Sequence, residues 1–205
     1  MSFRRPLLAA LLLLSSWTEA QAEVRSISLY PNSDSETSEH HLSPGIFAAW
    51  DALDDNPADS DLTYIFNAAD QQLESTRLTI VGLQVPAEKM DNIFSLRCEA
   101  LAGGNSIDSE APNAARVAIL LPDADGVPQI AAWSESYSLP TSPLLTRYET
   151  ISVTATANLD GGPLTIDDVA RAHCGVETTS TRSTGNPEFP NQARVTQVRL
   201  VVTFE

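Results

Sequence analysis

The chain has 205 residues, of which 27 are acidic and 12 basic, so its formal net charge is −15 at pH 7. Nucleic acids and anionic membrane surfaces are bound through clustered lysine and arginine, and this chain has one lysine, Lys89, and scattered arginines. The sequence therefore predicts neither class of partner. A hydrophobic content of 42% with interspersed charge favours one folded domain over a disordered chain.

Residues 1–22 have the organisation of a secretory signal peptide. Two arginines precede an apolar run at residues 7–14, and Ala20-Gln21-Ala22 forms an A-x-A cleavage site. The apolar run is far shorter than the roughly 20 residues that a membrane-spanning helix needs. We therefore expect export to the periplasm or the extracellular space without membrane insertion, and a single mature domain over residues 23–205.

After this segment, alternating hydrophobicity predicts β-strands almost throughout. The side chains that this alternation assigns to a common core are Phe94, Leu96, Cys98, Val198, Leu200, Val202 and Phe204. Val195 is out of phase with Val198, which indicates a β-bulge near residues 196–197. Further strands are predicted over residues 24–29, 63–66, 77–85, 116–121, 130–139 and 148–157.

Turn residues separate these strands, and the clearest is Asp123-Ala124-Asp125-Gly126, where the glycine supplies a positive φ for a hairpin. About seven to nine short strands at this spacing predict an all-β protein, an antiparallel β-sandwich of jelly-roll-like architecture. Two polar stretches, residues 32–41 and 178–190, are predicted as surface or mobile segments.

One short helix is predicted around residues 165–174. Thr165 can cap it with Asp168 in capping-box position. Apolar residues follow at helical spacing up to His173, and Gly175 is a natural stop.

The two cysteines, Cys98 and Cys174, favour a disulfide because an even pair in an exported protein usually pairs. Two buried free thiols are the alternative. With Cys98 on a strand and Cys174 at the helix end, the bond would join helix to sheet.

Several sequence blocks together resemble a known family. They are Trp50–Asp55, Asp59–Ile65, Ile80–Val85, Leu164–Val169, Gly175-Val176 and Arg194–Leu200. Their order and spacing over residues 46–204 resemble a jelly-roll-like β-sandwich of phage and prophage structural proteins and of exported bacterial proteins. The resemblance implies the fold and brings no catalytic residues.

Five carboxylates lie within eleven residues of one acidic segment, a composition that suggests calcium as a ligand. They are Asp51, Asp54, Asp55, Asp59 and Asp61. Calcium takes six to eight oxygen ligands, many of them carboxylates. The segment lacks the glycine and final glutamate of an EF-hand loop, so a solvated acidic loop is the alternative.

Aromatic residues give the candidate ligand-binding positions. Trp133, Glu135 and Tyr137 share strand parity, so one strand face would carry Trp-Glu-Tyr, either as the edge of a core or as a small glycan platform. Tyr64, at the end of the acidic segment, is a further contact candidate.

No motif for nucleophilic catalysis appears, and His173 beside Cys174 does not make a thiol–imidazole pair in an exported chain. We therefore interpret the protein as a non-enzymatic binding or structural module for a protein or glycan partner. The alternatives are an exported hydrolase that uses a carboxylate pair, or a periplasmic metal-binding protein that uses the aspartates or His40, His41 and His173.

Overall fold

Two β-sheets lie face to face in the computed structural model, which describes residues 23–43, 45–53, 64–68, 74–85, 89–105, 113–139, 141–142, 147–181 and 191–205. The strands are β1 (Arg25–Leu29), β2 (Pro31–Ser38), β3 (His41–Leu42), β4 (Ile65–Ala68), β5 (Glu74–Leu83), β6 (Ile93–Asn105), β7 (Asn113–Pro122), β8 (Pro128–Trp133), β9 (Tyr137–Ser138), β10 (Thr141–Ser142), β11 (Arg147–Ala155), β12 (His173–Thr181) and β13 (Gln192–Phe204). The helical elements of the described residues are a 3-10 turn at Trp50–Ala52 and the helix α1 (Ile166–Ala170).

The first sheet, here sheet 1, is built on the long pair β6 and β13. Strands β11 and β10 lie on the outer edge of β6, with β10 parallel to it. The far edge of β13 is shared between β1 at one end and β4 at the other, and β3 extends the sheet beyond β4. Apart from β10, all pairs in this sheet are antiparallel.

The second sheet, here sheet 2, has the order β2-β5-β12-β7-β8 and is antiparallel throughout. Strand β9 pairs with the same edge of β7 as β8 does. The hairpin between β7 and β8 turns at Gly126, whose φ of 82° confirms the prediction for this turn. The predicted jelly-roll-like β-sandwich with one short helix is thus confirmed.

The core fills the space between the sheets. All but one of the side chains that the alternation assigns to it are fully buried, namely Leu96, Cys98, Val198, Leu200, Val202 and Phe204. Burial of a side chain of this size contributes about 1.5–3 kcal/mol relative to exposure. The pair of β6 and β13, on which these residues lie, therefore contributes strongly to the stability of the core.

Phe94 is the exception, and the prediction that it lies in the core is wrong. Thr203 pairs with Ser95, whereas Phe204 pairs with Ile93, so Phe94 is an extra residue in β6. This bulge turns Phe94 outward, to 43% exposure, and brings Ile93 inside. The bulge predicted near residues 196–197 is confirmed, because Val195 pairs with Ala102 and Gln197 with Leu101.

The helix is shorter than predicted. Thr165 and Asp168 form the expected capping box, but α1 ends at Ala170, and residues from His173 onward belong to β12. Strand β12 is central in sheet 2 and pairs along its length with both β5 and β7. The hydrogen bonds that β12 makes with both β5 and β7 stabilise these residues more than one further turn of α1 would. Gly175 is therefore a strand residue and not a helix stop.

The disulfide between Cys98 and Cys174 is confirmed, and both residues are fully buried. Because Cys174 lies in β12, the bond joins β6 of sheet 1 to β12 of sheet 2. The expectation that it links a helix to a sheet is wrong for that reason.

The polar stretch at residues 32–41 is also ordered into strands, contrary to the prediction. Most of it forms β2, which pairs with β5. The carboxylate of Asp34 accepts hydrogen bonds from the amides of Ala49 and Trp50 and so holds the 3-10 turn. Likewise, residues 178–181 continue β12, while residues 182–190 lie outside the described residues.

The predicted signal peptide at residues 1–22 lies outside the described residues, and export stays a prediction. Within the part of the chain that the structure describes, no helix has the length and apolar character needed to cross a membrane.

Candidate binding site

A groove of about 340 Å³ runs between the edges of the two sheets and is here called the edge groove. It is lined by Ser134, Glu135, Tyr137, Thr150, Ile151 and Ser152. The first three follow or belong to the edge strands β8 and β9 of sheet 2, and the others belong to β11, the edge of sheet 1. Its lining therefore combines apolar surface, including Ile151 and the ring of Tyr137, with hydroxyl groups and the Glu135 carboxylate.

Ser134 creates the break between β8 and β9. Its amide donates to the carbonyl of Val117 at 2.8 Å, and its hydroxyl accepts from the amide of Val117 at 3.0 Å. The serine side chain therefore takes the place of a backbone acceptor in the ladder, as serine does where strands are interrupted. Glu135 is consequently exposed at the mouth of the groove.

A hydrogen bond between Tyr137 of β9 and Glu149 of β11 links the edges of the two sheets beside the groove. Tyr137 lies opposite Ala115 and Glu149 opposite Ala102, both core-lining alanines, so the two side chains extend toward each other across the gap between the sheets. The phenol donates to a carboxylate oxygen of Glu149, and this bond raises the pKa of Tyr137. The ring of Tyr137 is therefore held in one position while 43% of the residue stays exposed.

Trp133 does not share a face with Tyr137, and the prediction of one Trp-Glu-Tyr strand face is wrong. Trp133 pairs with Ala118 and Tyr137 with Ala115, three residues apart on the regular strand β7, which places them on opposite faces of sheet 2. The physical reason is the interruption at Ser134, which breaks the period-two alternation.

On the outer face of sheet 2, Trp133 is part of a stack. The guanidinium carbon of Arg116 lies 4.2 Å from the centroid of the indole ring. Glu177 holds Arg116 in a bidentate pair with N–O distances of 2.7 and 3.1 Å. One face of Trp133 is therefore covered by an intramolecular cation–π contact.

Tyr64 lies on the other side of the molecule from Trp133 and Tyr137. It precedes the fully buried Ile65 of β4, so it projects from the outer face of sheet 1. Its ring contacts Phe66 and lies 4.5 Å from the guanidinium carbon of Arg194. Of the four predicted contact residues, only Glu135 and Tyr137 come together in one groove.

The aspartate segment is described only at one end. Asp51 is exposed in the 3-10 turn, and Asp54, Asp55, Asp59 and Asp61 lie outside the described residues. No cluster of three or more potential metal ligands occurs among the residues that the structure does describe. Calcium binding by this segment stays a prediction.

The three histidines occupy separate environments and do not form a joint metal site. His40 is buried and places its ring nitrogens 2.8 Å from the hydroxyls of Thr79 and Thr178. His41 packs against the ring of Phe66 in sheet 1. His173 begins β12 on the outer face of sheet 2.

The groove residues Thr150 and Ser152, and Glu149 beside the groove, were not predicted from the sequence. Residues on β11 and on β8–β9 pair with different strands in different sheets, so no spacing along the chain relates them. Only the packing of the two sheets brings these edges together.

Comparison with known proteins yields distant structural likenesses. No family model matches the chain, and no curated protein matches its sequence. A CBM22 xylan-binding domain from Paenibacillus barcinonensis is similar over 87% of this chain and 94% of its own, with 7% identity and a TM-score of 0.33. Chains from two infectious bursal disease virus structures, a T13 particle and the Gx strain, are similar over 89% of this chain.

The T13 particle chain has 13% identity and a TM-score of 0.34, and the Gx strain chain has 11% and 0.32. This protein spans 31% and 33% of those viral chains. At such identities the likeness concerns the fold alone, and TM-scores this low support no argument about function.

Proposed function

We propose that the protein is a non-enzymatic glycan-binding module and that the edge groove is its binding site. The observation that carries the proposal is Tyr137, an exposed ring that Glu149 holds in place in a groove of mixed apolar and polar lining. A rigid β-sandwich that presents contact groups at a strand interruption is a common arrangement for recognition.

The chemistry of the groove fits a sugar ring. An aromatic ring offers an apolar face to the C–H groups of a pyranose, and Glu135 can accept hydrogen bonds from its hydroxyls. Thr150 and Ser152 are exposed and bring hydroxyls that can donate and accept, whereas the Ser134 hydroxyl already donates to the carbonyl of Glu135 and accepts from the amide of Val117. The volume of about 340 Å³ lies at the lower end of the range for small-molecule sites, about 300–1,000 Å³.

The charge of the chain favours a neutral ligand in this groove. The net charge of −15 repels anions, and the groove itself contains Glu135 with Glu149 beside it. A neutral oligosaccharide satisfies both carboxylates through hydroxyl donors. A flat protein partner would leave the groove walls without hydrogen-bond partners.

The experiment is isothermal titration calorimetry of the mature protein with xylohexaose, cellohexaose, mannohexaose and chitohexaose. At least one is expected to bind, and Tyr137→Ala should weaken that binding about tenfold or more, because it removes the stacking surface. Tyr137→Phe keeps the ring and loses only the bond to Glu149, so a smaller loss is expected.

Phe94→Ala is the matched control, because Phe94 is also 43% exposed but projects from sheet 1 away from the groove. Equal losses in Tyr137→Ala and Phe94→Ala would contradict the proposed site. Products of glycosidic cleavage in the same samples, lost in Glu135→Gln, would instead favour a hydrolase.

A further inference from the structure

A row of side chains crosses the outer face of sheet 2 at a position remote from the edge groove. Ser33 of β2 pairs with Gly82 of β5, and Gly82 pairs with His173 of β12. Side chains of directly paired residues lie on one face, so Ser33 and His173 flank a residue that has none. The result is a notch over Gly82.

The absent side chain at Gly82 leaves room for the Ser33 hydroxyl, which lies over the glycine. A Cβ atom at this position would lie 2.4 Å from the Ser33 hydroxyl oxygen and 3.8 Å from Nε2 of His173. The hydroxyl and the imidazole therefore lie on either side of the glycine, and both line the groove above it. Any larger residue would displace Ser33.

The Gly82 notch is a groove of about 300 Å³ and shares no lining residue with the edge groove. Its principal lining residues are Ser33, Gly82, Leu83, Arg171, Ala172 and His173. Leu83 and Ala172 are buried, so they form an apolar floor. Arg171 bounds one side and is paired with Asp167.

His173 is fixed in one tautomer by its neighbour. Its Nδ1 lies 3.0 Å from the carbonyl oxygen of Arg171, and because a carbonyl can only accept, Nδ1 carries the proton. Burial lowers the pKa of His173, so the ring is neutral at pH 7 and Nε2 is a hydrogen-bond acceptor. The Ser33 hydroxyl donates to Asn32 at 3.3 Å, which leaves its oxygen free to accept as well.

The two acceptors, Nε2 of His173 and the Ser33 hydroxyl oxygen, lie above an apolar floor. A ligand with two adjacent hydrogen-bond donors would satisfy both. A carboxylate has no proton for Nε2 of His173, and the net charge of −15 disfavours a phosphate. An ammonium group has protons but would lie beside the Arg171 guanidinium. A vicinal diol meets both requirements, because one hydroxyl can donate to His173 and its neighbour to Ser33.

We propose that the Gly82 notch is a second saccharide site, which binds a vicinal diol of a sugar ring between Ser33 and His173. The inference rests on the proposed function for its ligand class. Because the two sites lie on different parts of the sandwich, a polysaccharide that reaches both would be bound with avidity.

The test is an NMR titration of isotopically labelled mature protein with xylohexaose and cellohexaose. Binding in the notch should shift the Nε2 resonance of His173 and the amide of Gly82. Gly82→Ala should abolish these shifts because the added methyl group displaces the Ser33 hydroxyl, and His173→Ala or Ser33→Ala should weaken the binding there about tenfold. Ser26→Ala, an exposed serine on β1, is the control and should leave it unchanged.

The two proposals fail in different ways. If neither sugar shifts His173 in the parent protein, or if the shifts persist in Gly82→Ala, the notch is not a saccharide site. Shifts at Tyr137 in the same titration report on the edge groove independently. Loss of the Glu135 amide shift in Tyr137→Ala with His173 still responding would show that the edge groove no longer binds and would leave the notch as a site.

Discussion

His40 shows how one residue can make folding depend on pH. It belongs to a stretch predicted to lie at the surface, yet it is 6% exposed and fits between Thr79 and Thr178 of sheet 2. Burial, the charge of Arg77 and the neighbouring His41 lower its pKa from 6.5 to about 3. The folded protein therefore contains a neutral imidazole where the unfolded chain has an ordinary histidine.

The free energy of unfolding should fall as the pH is lowered from about 6.5 toward 3. The unfolded state binds a proton first, so each pH unit in this window costs about 1.4 kcal/mol. Chemical denaturation at pH 7 and pH 5 should show a loss of about 2 kcal/mol from this group.

Two variants separate the contribution of His40 to this pH dependence from that of other titrating groups. His40→Gln should lose most of the pH dependence between pH 7 and 5, whereas His41→Gln, at the exposed neighbour, should keep it. An equal pH dependence in the parent and in His40→Gln would show that His40 is not responsible.

At the scale of elements, β13 contributes several buried side chains to the core and also contains the β-bulge at Thr196. It pairs with β6 along its length, and the bulge at Thr196 restores the phase that puts Val195 and Val198 both inside. The adjustment leaves the Thr196 hydroxyl fully buried without a hydrogen-bond partner among the described residues. An unsatisfied buried hydroxyl is destabilising.

Thr196→Val should therefore stabilise the protein, by about 1 kcal/mol, because it removes the hydroxyl and keeps the shape. Thr178→Val is the matched control, since Thr178 is equally buried but its hydroxyl contacts His40. Urea denaturation should show the first variant above the parent and the second below it. A destabilised Thr196→Val would mean that its hydroxyl has a partner.

At the scale of the whole molecule, two features hold the sheets together besides the apolar core. The disulfide joins the central strand of sheet 2 to β6 of sheet 1 and closes a sequence separation of 76 residues. Near one end of the sandwich, Asn67 of β4 donates to the carbonyls of Ser75 and Thr178, which connects the sheets through buried hydrogen bonds. Tyr137 and Glu149 add a link at the open edge.

Replacing both cysteines, as Cys98→Ala with Cys174→Ala, should lower the free energy of unfolding by roughly 4–5 kcal/mol, since a long loop is no longer closed in the unfolded chain. Equilibrium urea denaturation measures this loss. Because both residues are fully buried, dithiothreitol should not expose thiols to maleimide in the native protein. An unchanged unfolding midpoint in the double variant would contradict this account.

The sequence predicted most of what depends on local alternation. The inward faces of β6 and β13, the hairpin turn at Gly126, the capping box at Thr165 and the bulge near residue 196 all follow from the residues in place. Hydrophobic periodicity decides which face of a strand is buried, and turn and capping residues act within a few positions of the chain.

The candidate sites were only partly predictable. Glu135 and Tyr137 were identified, but their groove partners on β11 and the notch of Ser33, Gly82 and His173 were not. Each site joins residues from strands far apart in the chain, and only sheet pairing and packing set that geometry.

The sequence by itself therefore determined the fold class and the paired cysteines, because composition and alternation carry this information locally. The tertiary structure alone decided where α1 stops, that residues 32–41 form strands, and that Trp133 and Tyr137 separate onto opposite faces. The helix end and the strands at residues 32–41 were decided by pairing between strands that are distant in sequence. The separation of Trp133 from Tyr137 was decided by the Ser134 hydroxyl, which replaces a backbone acceptor in the hydrogen-bond ladder of β7.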